Sequence, residues 1–87
     1  MKLSETTVGM LSPDYKERFL AEYEQLVIRQ QKLIKMMQKW DVGRLEFTPT
    51  CPKEVYEIQI RGMNEYRRAL VIRAQLEGIE LPKVEVE

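Results

Sequence analysis

Apolar residues, with Gln30 as the one polar member, recur along the first half of the chain in three interleaved seven-residue series: Phe19, Leu26, Leu33 and Trp40; Leu20, Val27 and Ile34; and Tyr23, Gln30 and Met37. At about 100° per residue these positions cover an arc of roughly 160°, wider than the narrow seam of a two-stranded coiled coil. No Gly or Pro interrupts the run from Asp14 to Trp40. Ser12 suits the N-cap, Pro13 the first helical position, and Asp14 the positive end of the helix dipole. Gly43 supplies the stop, so the pattern predicts a helix over about 13–41. A second helix is expected over about 52–77, opening at Pro52 with Thr50 or Cys51 as N-cap and ending at Gly78, with Pro82 beyond it. One face carries Val55, Met63, Tyr66, Ala69 and Leu70; Ile60, Val71 and Ala74 extend it on one flank, and Ile58, Ile72 and Leu76 lie on the other. Only a strip near Glu57, Arg61, Asn64 and Arg68 is wholly polar.

Two helices joined by a loop of about ten residues form an antiparallel hairpin, and each can bury one stripe against the other. Both then have apolar surface left over, and a lone hairpin of this size is marginal against chain entropy. The expected fold is therefore all-α: an antiparallel two-helix hairpin, residues 12–79, assembling into a homo-oligomeric helical bundle. Residues 1–11 are polar and without period, and read as a flexible N-terminal arm. Residues 80–87 read as a C-terminal tail; Lys83-Val84-Glu85-Val86-Glu87 alternates like a short strand, and fraying is the simpler expectation. Gly62 interrupts the second helix at a cost of about 1 kcal/mol relative to Ala. A close helix–helix approach accounts for it.

Composition narrows the functions. The chain has 87 residues, with 14 Lys plus Arg balancing 14 Asp plus Glu. Zero net charge disfavours non-specific nucleic-acid binding and a polybasic membrane peptide. The longest apolar run, Ala69-Leu70-Val71-Ile72, is far short of a membrane span. The absence of His and the single Cys51 remove the commonest general base, the commonest zinc ligand and any internal disulfide. No catalytic residue, metal site or cofactor is expected, and Cys51 reads as a small helix-start residue.

The remaining polar residues each admit two readings. Thr48-Pro49-Thr50-Cys51-Pro52 is a stiff segment whose hydroxyls suit a ligand; alternatively Thr50 caps the second helix while Leu45 and Phe47 cap the open end of the bundle. The first helix runs from acidic (Asp14, Glu17, Glu22, Glu24) to basic (Arg29, Lys32, Lys35, Lys39), which matches its dipole. On the second helix, Arg61 and Arg68 share the polar strip, Arg67 points to another flank, and Arg73 falls near the apolar face with Tyr66. Arg with Tyr at a subunit seam suits a phosphate clamp and a stacked base; an intersubunit ion pair of Arg73 with Glu22 or Glu24 is the simpler use. The candidate ligand-binding set is Thr48, Thr50, Arg61, Tyr66, Arg67, Arg68 and Arg73.

Four segments carry a resemblance: Tyr15-Lys16-Glu17-Arg18, Glu22-Tyr23-Glu24-Gln25-Leu26, the loop Phe47-Thr48-Pro49-Thr50-Cys51-Pro52, and Arg73-Ala74-Gln75-Leu76-Glu77-Gly78-Ile79. Over residues 14–81 the chain resembles a family of small bacteriophage proteins found in crAss-like phages and phages of Gram-positive bacteria. Its architecture is also similar to the helical-hairpin phage sponges, oligomers that sequester cyclic nucleotide messengers of bacterial immunity. The resemblance implies a non-enzymatic counter-defence protein in the cytoplasm of the infected bacterium. It would bind a cyclic di- or trinucleotide between subunits. A protein-binding inhibitor of a host defence or nucleic-acid enzyme and a structural phage component are the alternatives.

Overall fold

A computed structural model describes all 87 residues. The fold is all-α: a 3₁₀ turn over Leu3–Thr6, then α1 (Thr7–Met10), α2 (Tyr15–Asp41) and α3 (Lys53–Glu77), with no strand. Helices α2 and α3 lie side by side in opposite directions. Pairs along their length fix the register: Asp41 with Lys53, Gln30 with Asn64, Glu22 with Tyr66 and Tyr15 with Glu77.

The helix ends follow local chemistry, with two corrections at the starts. Asp14, not Ser12, is the N-cap of α2: its carboxylate accepts from the Lys16 amide at 3.0 Å. Ser12 sits one step back, accepting from the Asp14 amide and donating to the Glu17 carboxylate, so Pro13 precedes the helix. At α3, Pro52 itself holds the N-cap position in extended backbone, which moves Thr50 and Cys51 beyond reach of the first-turn amides. Neither residue caps the helix. Both stops are glycines at positive φ, Gly43 (φ 72) and Gly78 (φ 68). The next amides, of Arg44 and Ile79, reach back to the Lys39 and Ala74 carbonyls at 2.8 Å, satisfying acceptors that the helix leaves open.

The core joins Phe19, Tyr23, Leu26 and Val27 of α2 to Leu70 and Ala74 of α3. On α3 the face turned to α2 runs through Tyr56, Ile60, Met63, Arg67, Leu70 and Ala74, all buried or half-buried. The sequence expectation placed the face on Val55, Met63, Tyr66, Ala69 and Leu70 with Ile60 and Ala74 on its flank; Met63 and Leu70 do face α2, but the centre is rotated toward that flank and Val55, Tyr66 and Ala69 are exposed. The reason is breadth: a helix apolar around most of its circumference can dock in several rotations, and periodicity does not choose among them.

Both termini are built into the fold, contrary to the flexible arm and frayed tail expected. The N-terminal turns pack on α2 and bury Thr6, whose hydroxyl donates to the Leu3 carbonyl at 2.8 Å. They cover a face of α2 outside the seven-residue series, where Ala21 and Ile28 are fully buried. Gly9 makes the approach possible, since a Cβ there would lie 3.0 Å from that of Ala21. At the other end, Ile79, Leu81, Val84 and Val86 pack against the core while Lys83, Glu85 and Glu87 stay exposed. The alternation seen in the sequence is real, but it lays an extended strap on helices and builds no sheet. The Glu87 amide closes it onto the Met1 carbonyl at 3.3 Å.

Candidate functional site

The seven sequence-predicted residues fall into three places. Tyr66, Arg67 and Arg73 line the seam between α2 and α3, and each is engaged there. The Tyr66 hydroxyl donates to the Glu22 carboxylate. Arg67 lies over the Tyr23 ring and donates to the Gln30 side-chain oxygen at 3.3 Å, while the Gln30 amide donates to Asn64. Gln30, buried on α2, is thereby satisfied from both of its polar ends. Arg73 donates to the Tyr15 hydroxyl at 2.9 Å, lies 4.9 Å from the Phe19 ring centre and pairs with Glu77 at 3.6 Å. The Tyr15 hydrogen bond, helped by the Glu77 and Glu22 carboxylates and opposed by desolvation, pushes the Arg73 pKa up. Arg73 thus serves an ion pair within the chain, with Glu77. These groups fasten the helices together.

Arg61 and Arg68 occupy the opposite side of α3. Both are exposed; Arg68 lies 3.8 Å from Glu65 one turn away, and Arg61 has no carboxylate within ion-pair distance. They flank a stripe formed by Val55, Ile58, Gly62, Ala69, Ile72 and Leu76, about 150° from the face buried against α2 at 3.6 residues per turn. Ile58 is 60% exposed and Leu76 83%. Apart from its own stretch of helix backbone, nothing lies within 4 Å of where a side chain at Gly62 would begin. The close approach expected at this glycine is not made inside the chain.

Thr48 and Thr50 are exposed on the connecting loop, as is Cys51. Phe47 is 58% exposed and Leu45 half-buried, and both line a cleft with Lys39. On the basic side of α2 the sequence offered Lys32, Lys35 and Lys39 only as the next candidates after α3, because their charges agreed with the helix dipole. Clefts of about 440 and 300 Å³ lie there and share Lys32 and Met36.

No cluster of Asp, Glu or Cys is arranged to hold a metal, and no helix is long and apolar enough to cross a membrane. Neither the curated proteins nor the solved structures contain a match to the chain. The family model described as Sequestin matches residues 13–76, which span α2, the loop and nearly all of α3. The chain belongs to the Sequestin family, and this membership accords with a non-enzymatic phage counter-defence protein that sequesters a cyclic nucleotide.

Proposed function

We propose that the protein works as a homo-oligomer in the cytoplasm of an infected bacterium. It holds a cyclic di- or trinucleotide where the outer face of α3 meets a second copy. The observation that carries this reading is the stripe through Val55, Ile58, Gly62, Ala69, Ile72 and Leu76, interrupted by Glu65 and edged by Glu54 and Arg73, and open at Gly62. Apolar side chains at this density gain free energy when covered, and a glycine between them lets two helix backbones approach closely. Arg61 and Arg68, seven residues apart, then come to line the edge of the joint, where charge-assisted hydrogen bonds to phosphate are strongest. Thr48 and Thr50 are the polar groups of the loop that could read a ligand edge. Tyr66, Arg67 and Arg73 take a supporting part, since their polar atoms already hold α2 against α3. A host protein covering the same stripe is the competing occupant.

The test is light scattering of the purified protein together with melting curves against a panel of cyclic di- and trinucleotides. The expected outcome is a mass that is a multiple of 10.4 kDa and a rise in melting temperature with one ligand class, by mass action on the native state. Heat should release that ligand chemically intact. The Arg61→Ala/Arg68→Ala double variant should keep the mass and lose the shift. A monomeric mass with intact helicity, or no shift with any member of the panel, refutes the reading.

A further inference from the structure

We propose a second ligand site, contained within one chain, in which the basic face of α2 binds a nucleoside diphosphate or a related base-bearing phosphate ester. Arg29, Lys32, Lys35 and Lys39 follow one another at intervals of three, three and four residues, so they stack along one side of α2. All four are exposed, and none has a carboxylate within ion-pair distance. Like charges at these spacings repel and destabilise a helix. The helix dipole does not explain them, because its influence is confined to the last turn, which contains only Lys39. A chain of zero net charge has gathered four cations without ion-pair partners on one face, approached only by Glu87. An anionic ligand is what offsets that cost.

The surface beside these cations has the form of a nucleotide site. Arg29 and Lys32 stand at the rim of the 440 Å³ cleft, whose floor includes Leu33, Met36, Tyr56 and Met63. That volume lies within the range of small-molecule sites, and an apolar floor with a few polar groups is their usual composition. The Tyr56 ring and the two thioethers suit the flat face of a base, and the Gln59 amide can both donate to and accept from its edge. No acidic residue lines this cleft. Lys32 and Met36 also border the neighbouring 300 Å³ cleft, where Lys35 and Lys39 continue the series beside Phe47. Phosphates attached to a base on Tyr56 would therefore extend along the lysines. Glu87 lines this second cleft too and competes with the distal phosphate.

The site has an internal reporter. Trp40, the single tryptophan, packs edge-on against Tyr56 with ring centres 6.2 Å apart. Titration of the full chain with ADP, followed by Trp40 emission and by calorimetry, tests the proposal. We expect one ADP per chain, an emission change that saturates with binding, and weaker binding as salt is raised. Lys32→Ala/Lys35→Ala should weaken ADP by about tenfold or more, from the range of charge-assisted hydrogen bonds, with the helical signal unchanged. Arg61→Ala/Arg68→Ala should leave it unchanged, and Glu87→Gln should tighten it. Pyrophosphate and adenosine, each carrying half of the chemistry, should bind more weakly than ADP. The proposal is overturned if ADP fails to bind at millimolar concentration or if the lysine variants bind it normally. It is equally overturned if pyrophosphate alone matches ADP. Every residue involved comes from one chain, so a monomeric protein that binds ADP would uphold this site while refuting the one between subunits.

Discussion

Replacing Gly62 by Ala separates what the single chain does from what an assembly does. Gly62 lies inside α3 with ordinary helical backbone, positive φ being confined to Gly43 and Gly78. Apart from its own stretch of helix backbone, an added methyl group meets no atom within 4 Å. Within one chain the substitution is then a pure gain in helix propensity, about 0.8–1.0 kcal/mol. For a domain of this size that raises the melting temperature by about 4–8 °C. In an assembly joined along Val55, Ile58, Gly62, Ala69 and Ile72, the same methyl group holds the two backbones apart and weakens association. Circular dichroism melts and light scattering over a range of protein concentration read the two effects separately. Dilute protein should melt higher than wild type, and the assembly should dissociate at a higher concentration. Gly62→Leu should exaggerate the second effect, since its side chain is larger and its propensity is close to that of Ala. If both variants keep the wild-type mass at every concentration, the stripe is not a helix–helix contact. A lower melting temperature of the dilute Ala variant would refute the open placement of Gly62 itself.

Leu26→Asp should abolish the fold: Leu26 is buried between Phe19, Tyr23 and Leu70 in one core, and an unpaired carboxylate there costs more than about 4 kcal/mol. Loss of the helical circular dichroism signal at 25 °C is the check, and a folded variant would refute the placement of this core. For Glu24, burial holds the carboxyl pKa above its ordinary value. The folded chain then keeps its proton to higher pH than the unfolded chain, so this residue's contribution to stability falls as pH rises through that interval. Glu24→Gln should be more stable than wild type to urea at pH 7, with the advantage gone below about pH 4, where the carboxyl is protonated in both states.

Much of the architecture was legible in the residues themselves. The uninterrupted seven-residue series, the proline at 52 and the glycines at 43 and 78 specify two long helices, because each acts through local backbone geometry and the 3.6-residue period. The buried residues of α2 in those series, Phe19, Tyr23, Leu26, Val27, Gln30 and Met37, followed from the same period. What required tertiary structure was every choice between equivalent surfaces. The rotation of α3 was one: the expected face held both Leu70 and the pair Val55 and Ala69, and only packing on α2 buried Leu70 with the flanking Ala74 and left Val55 and Ala69 exposed. The terminal segments were another. They carry weak periodicity and no caps that announce packing, and their order comes from contacts such as Gly9 on Ala21 and Val84 on the core. The candidate sites divide in the same way. Sequence spacing placed Arg61 and Arg68 on one strip. Only the fold engaged Tyr66, Arg67 and Arg73 with Glu22, Gln30 and Tyr15, residues 37 to 58 positions away. The fold also set Tyr56 and Phe47 beside the lysines of α2. A one-dimensional pattern records which face a residue occupies on its own helix, while its partners across the chain are decided by packing.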